Sequence, residues 1–179
     1  DVFPLGFLTT LVDLNVARNA ITDIGSLAAL TNLEGLNVAE NLISDLSPVT
    51  GMTRLIALAA QQNLVSDVTP VAALRALKSL SIDSNAVSSL LPLETLSNLE
   101  VVEARSNAIS DVSAIAAMPS IHMAFLHANA VTDLSPLLAR QNSSMASIQV
   151  TDNPLDCEAQ RDVIDALIDS GLEVVTSCR

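Results

Sequence analysis

The stretch "NVARNAITDIGSL", Asn15–Leu27, is written again with few changes as "NVAENLISDLSPV", Asn37–Val49, 22 positions on. Counting forward from Asn19 in the same step lands on Asn41, Asn63, Asn85, Asn107 and Asn129, and a last step of 24 reaches Asn153. The other columns are apolar. Leu11, Leu33, Leu55, Leu77, Leu99 and Ile121 form one; Leu14, Leu36, Leu58, Leu80, Val102, Ala124 and Ile148 form a second; Ile21, Ile43, Val65, Val87, Ile109 and Val131 form a third. Self-similarity at a period of this size marks a stack of small units. No single unit can bury its own apolar stripe, so a continuous core requires neighbours on both sides.

Within each unit "LxL" alternates with period 2, which sends the leucines to one face of a short strand and the residues between them to the other. An asparagine follows where the chain leaves the strand, and its amide is able to bond backbone groups that a turn would leave unpaired. A second ladder, Asp1, Asp23, Asp45, Asp67, Ser89, Asp111 and Asp133, precedes an apolar residue and often a proline, as in "SDLSPV", "SDVTPV" and "TDLSPL". Short acceptor side chains favour helix caps and turns, and proline presets φ there.

The column pattern LxxLxLxxNxI resembles the leucine-rich repeat family. The short, proline-marked unit is similar to the bacterial internalin type and to its eukaryotic phosphatase-regulating relatives. The resemblance implies an α/β solenoid: a right-handed superhelix with a concave parallel β-sheet, 3₁₀ or extended segments on the convex side, and a C-terminal helix-containing cap. The expected division is a solenoid over 1–155 and a cap over 156–179. Within the solenoid we expect a partial repeat at 1–7, six 22-residue repeats, and a last strand near 145–153.

At the start, Asp1, Pro4 and Leu5 fall in register with Asp45, Pro48 and Val49, so the sequence opens inside a repeat. Two readings stand: a piece of a longer protein, or a half repeat in which Phe3 and Phe7 serve as a lid. At the far end the rhythm stops after Asn153. Val163, Ile164, Leu167 and Ile168 have helical spacing, Gly171 suits a helix C-terminus, and "LEVV" reads as a strand. Cys157 and Cys178, the only two cysteines, flank this segment. They resemble the cysteine-bearing caps of extracellular leucine-rich repeat proteins, many of which carry four cysteines. The resemblance implies a disulfide, worth about 3 kcal/mol on the chain-entropy model. Such a bond points to an oxidising compartment: extracellular space, cell surface or periplasm. Two free thiols in a cytosolic protein are the other reading.

Half of the residues are hydrophobic, yet only 2% are aromatic, as a narrow, regular aliphatic core demands. The formal charge is −12, with only eight scattered basic residues, which makes nucleic acid a poor partner, since phosphate binding needs clustered Lys and Arg; no nucleic-acid ligand is expected. A basic partner is one reading of the acidity. Six of the twenty acids belong to the turn ladder, however, so much of the charge is architectural.

The outward residues of the strands would line the hollow of the solenoid. In the early repeats they are small or polar, as in Asn15, Asn37, Ala59 and Ser81. In the fifth and sixth they become Val101, Glu103, Arg105, Met123, Phe125 and His127, with His122 nearby. Exposed aromatic, methionine and arginine side chains grouped in this way mark protein-binding surfaces. A competing reading uses Ala104 and Ala124, small residues in core columns. A one-residue bulge in "IHMAFLHAN" would turn Met123 and Phe125 inward to fill the gap. The unbroken spacing to Asn129 argues against it.

No catalytic, cofactor-binding or metal-ligating constellation stands out. The two histidines lack a third ligand at fixed spacing, the five glycines form no phosphate loop, and no nucleophile stands beside a base. Asn142-Ser143-Ser144 matches a glycosylation sequon. The expected function is therefore a non-enzymatic protein-recognition module, secreted or on the cell surface, with a protein ligand and no cofactor. Alternatives are an intracellular regulatory scaffold, a targeting or spacer domain of a larger protein, and, with few aromatic platforms to support it, a carbohydrate-binding surface.

Overall fold

The computed structural model describes residues 2–140 and 145–178; Asp1, the Asn142 sequon and Arg179 lie outside the described residues. The strands are β1 (Asp13–Asn15), β2 (Gly35–Asn37), β3 (Ala57–Ala59), β4 (Ser79–Ser81), β5 (Val101–Glu103), β6 (Met123–Phe125), β7 (Ser147–Gln149) and β8 (Glu173–Val175). They form one parallel sheet in chain order. Each central residue pairs with its counterpart one rung on, Leu14 with Leu36, Leu36 with Leu58, and so to Ile148 with Val174. From β2 onward these central residues are buried and lie over the columns of Leu33, Leu55, Leu77 and Leu99. That leaves the first and third residue of every strand on the opposite, concave side.

Leaving each strand, the chain takes one residue into the left-handed region: Arg18, Glu40, Gln62, Ser84, Ser106, Ala128 and Asp152 all have φ between 53° and 61°. For a residue with a Cβ this conformation costs about 1–2 kcal/mol. It persists because it swings the next residue, the ladder asparagine, beneath the turn. Asn63 shows the result. Its Nδ2 donates to the carbonyls of Val38 at 3.0 Å and Ala60 at 3.1 Å, and its Oδ1 accepts from Ile43 N–H at 2.9 Å. One amide thus stitches two consecutive rungs.

Asp23, Asp45, Asp67, Asp111 and Asp133 each accept the backbone N–H two residues on, at 2.6–2.8 Å. The bond closes an Asx turn one residue before the convex segment begins. Those segments are 3₁₀ turns at Gly25–Ala29, Ser47–Gly51, Thr69–Ala73, Leu91–Leu93 and Ser135–Ala139. One rung departs from the expected 3₁₀ or extended form: Ser113–Ala117 is a turn of α-helix, α1, with Ala116 N–H donating to Val112 at 3.2 Å. Its "SAIAA" has neither the proline nor the glycine of the other rungs, and alanine favours the helix.

At the C-terminal end α2 (Arg161–Asp169) buries Ile164 and Leu167 against the last rung. It stops at Gly171, φ +88°, where Gly171 N–H donates to Ile168 and Leu172 N–H to Leu167, a Schellman arrangement. β8 then returns to the sheet as its last strand. Cys157 and Cys178 are bonded to each other, with Cα atoms 5.1 Å apart. At the other end Phe3 and Phe7 pack edge to face, 5.5 Å between centroids, and both rings are exposed. Leu11, Leu14 and Val16, in the first full rung, are only partly buried.

Candidate partner-binding face

The paired register fixes what the hollow displays. Val101 sits opposite Met123, and Glu103 opposite Phe125. Val102 and Ala124 point into the core, as does Ala104, and the ladder runs through β6 without a bulge. Met123 is 38% exposed. Val101, Glu103, Arg105, Phe125 and His127 are half-buried on the concave side. The small core residues at 104 and 124 are therefore accommodated without turning the strand.

Arg105 organises this cluster. Its backbone N–H donates to Asp83 Oδ1 at 2.6 Å, and its Nη1 donates to Asp83 Oδ2 at 2.7 Å. Glu103 Oε1 lies 3.4 Å from the same nitrogen. The guanidinium carbon stands 4.3 Å from the centre of the Phe125 ring, a cation–π contact. Arg105 is thus bonded within the protein on three sides. Farther along the row, His127 Nδ1 lies 2.6 Å from Thr151 Oγ1, and its Nε2 lies 3.4 Å from Asp152. His122 stands on the flank of the sheet, exposed, with Nδ1 2.8 Å from the carbonyl of Ser120.

Over β1–β5 the hollow deepens into a groove of about 540 Å³, lined among others by Asp13, Gly35, Ala57, Ala59, Ser81 and Glu103. A Cβ at residue 35 would meet the Asp13 carboxylate and oblige that side chain to shift, so glycine there leaves Asp13 its place at the groove floor. Gln61 also lines the groove, and its Oε1 is buried without a donor.

Two features of this face were not singled out from the sequence. Asp83 occupies the same column as Arg105, one rung earlier, and that spacing was a readable signal for their pairing. The left-handed residue before each asparagine left no signal, because Arg, Glu, Gln, Ser, Ala and Asp all occupy it. Among the described residues no group of three His, Cys, Asp or Glu gathers to hold a metal ion. No helix there is long and apolar enough to cross a membrane.

A family model described as Leucine Rich repeats (2 copies) matches residues 9–51. No curated protein matches the chain in sequence. Among solved structures, an internalin (inlF) of Listeria monocytogenes is similar with a TM-score of 0.83 and 26% identity, over 98% of this chain and 56% of that one. Internalin C2 of the same organism has a TM-score of 0.84 and 25% identity, over 97% of this chain and 74% of the other. A leucine-rich repeat protein of Leptospira interrogans shares the fold at 18% identity and a TM-score of 0.78, over 96% of this chain and 50% of that one. The chain thus spans little more than half the length of the internalin inlF chain it resembles.

Proposed function

Because the chain is a leucine-rich repeat protein, we propose that it is a non-enzymatic recognition module binding a protein partner through the concave face of its sheet. The contact residues in this reading are Val101, Glu103, Arg105, Met123, Phe125 and His127. The supporting observation is the outward Phe125 ring, clamped by Arg105 beside exposed Met123. An aromatic anchor held in one orientation loses little freedom on binding, which is how rigid surfaces gain affinity. Surplus carboxylate on the same face favours a basic partner. The Cys157–Cys178 bond favours an extracellular or periplasmic setting over the intracellular scaffold.

The test compares partner capture by wild type, Phe125→Asp and Leu138→Asp, the last on the exposed convex side. The same partner should be lost with Phe125→Asp and kept with Leu138→Asp. Capture that survives Phe125→Asp and fails with Leu138→Asp places the interface on the other side.

A further inference from the structure

The Arg105 cluster accounts for one end of the hollow, while the groove over β1–β5 has chemistry of its own. Among the described residues, the Asp13 carboxylate has no hydrogen-bond or ion-pair partner. At the opposite end Arg105 is shared between Asp83 and Glu103, one guanidinium between two carboxylates. Each end of the groove therefore carries about one uncompensated negative charge. The nearby rim cation Arg18 is already paired with Glu40 at 3.0 Å. Between the ends the floor is not apolar enough to receive the greasy face of a helix. It carries Asn15, Asn37, Ser79 and Ser81 beside the small residues Gly35, Ala57 and Ala59. The amides of Asn15 and Asn37 each accept one backbone N–H through Oδ1, from Ala17 and Ala39. Their Nδ2 groups and both serine hydroxyls have no acceptor among the described residues. Gln61 adds an amide whose oxygen lacks a donor where it lies and gains access to one by rotating into the groove.

We propose that the groove over β1–β5 receives an extended segment of a partner protein carrying two basic side chains about six residues apart. The inference rests on the concave-face reading above and deepens it by naming the segment that enters. The spacing follows from the ladder. Asp13 and Glu103 are separated by four strand-to-strand steps of about 4.8 Å, or about 19 Å, and an extended chain covers this in about six residues at 3.3 Å each. The ammonium or guanidinium groups of the segment meet Asp13 at one end and Glu103 with Asp83 at the other. Its backbone carbonyls accept from Asn15 and Asn37, and its N–H groups donate to Ser79, Ser81 and Gln61. An extended segment needs such partners, because its backbone is not bonded to itself as a helix's is.

The test uses fluorescence anisotropy with labelled, end-blocked peptides in which two lysines flank two, five or eleven Ser and Gly residues. Binding should be strongest for five intervening residues and should weaken at least tenfold when salt is raised from about 50 to 300 mM. It should fall at least fivefold with Asp13→Asn or Glu103→Gln. Ala59→Phe, which fills the groove, should abolish it, whereas Leu138→Asp, on the exposed convex side, should leave it intact. Equal affinity at every spacing, no measurable binding by any peptide, or full binding by Ala59→Phe overturns the inference. The Phe125→Asp capture experiment is independent of these outcomes, so the groove can fail while the concave patch stands.

Discussion

The guanidinium of Arg105 stands 4.3 Å from the centre of the Phe125 ring and at the same time donates to Asp83 at 2.7 Å. An arginine in this position is occupied by its own protein. Its contribution to binding is to hold the ring still, more than to reach for a ligand.

Arg105→Ala removes the cation over the ring and leaves Asp83 and Glu103 without their common partner. The expected cost is about 1 kcal/mol in chemical denaturation, since partly exposed cation–π and ion pairs are each worth a fraction of that to about one. The chain has no Trp and no Tyr, so Phe125→Trp creates a single fluorescent reporter. In that background Arg105→Ala should raise acrylamide quenching. Unchanged quenching with unchanged stability means that Arg105 does not restrain the ring.

The asparagine ladder makes a graded prediction. Asn63 is 7% exposed and bonds backbone groups of its own rung and of the one before it. Asn63→Ala strands Ile43 N–H, while the carbonyls of Val38 and Ala60 keep donors from Asn41 and Asn85, for a cost of about 1–3 kcal/mol. Asn19 is exposed and donates only within its own rung, to Val16 and Ala17 at 3.0 Å. Asn19→Ala should cost under about 1 kcal/mol. Equal losses at the two positions contradict the stitching role.

These ladders explain what the sequence made legible and what it did not. The leucine and asparagine columns encode the rung, because each must face the same neighbour every turn; the register of Leu14 with Leu36 follows at once. The outward position of Phe125 follows too, from parity along β6. Contacts between outward side chains are less constrained. The Arg105 clamp on Phe125 depends on rotamers rather than on period, although the place of Asp83 one period before Arg105 was a readable sign of their pairing. The return of β8 to the sheet lies between these cases, since "LEVV" announces a strand but nothing announces its pairing with β7.

Ala128 tests the turn that the sequence conceals. Its φ of 54° is a conformation glycine adopts freely. Ala128→Gly should raise stability by about 0.5–1 kcal/mol, the relief of backbone strain exceeding the added unfolded-chain entropy. Ala128→Val should lower it by at least as much. Differential scanning calorimetry of the two variants checks the sign, and a destabilised glycine variant refutes the strain.

The Cys157–Cys178 bond closes the cap over the last rung. Reduction should lower stability by about 3 kcal/mol, as expected for a loop of this length on the chain-entropy model. The double variant Cys157→Ser with Cys178→Ser should match the reduced protein and ignore added thiol. Alkylation of the denatured, unreduced protein should add no mass. Two alkyl groups on the unreduced chain would show that the bond does not form.

The aspartate ladder carries a pH dependence whose sign is set by its turns. Backbone and hydroxyl donors from Ser47 hold the Asp45 carboxyl below its ordinary 3.8, those of Thr69 do the same for Asp67, and those of Ser135 do so for Asp133. A carboxyl that binds protons less readily folded than unfolded adds stability above 3.8 and loses it as pH falls through the lower folded value. The whole chain, at −12, works in the opposite direction, since protonating its many acids relieves self-repulsion. A single melting curve mixes the two effects, and a variant separates them. Asn at 45, 67 and 133 keeps a turn-forming side chain but cannot titrate. Between about pH 5 and pH 2.5 the wild type should lose more melting temperature than the triple variant, with the divergence opening as pH drops below 3.8. Parallel curves would mean that the Asx bonds do not discriminate between carboxylate and carboxylic acid.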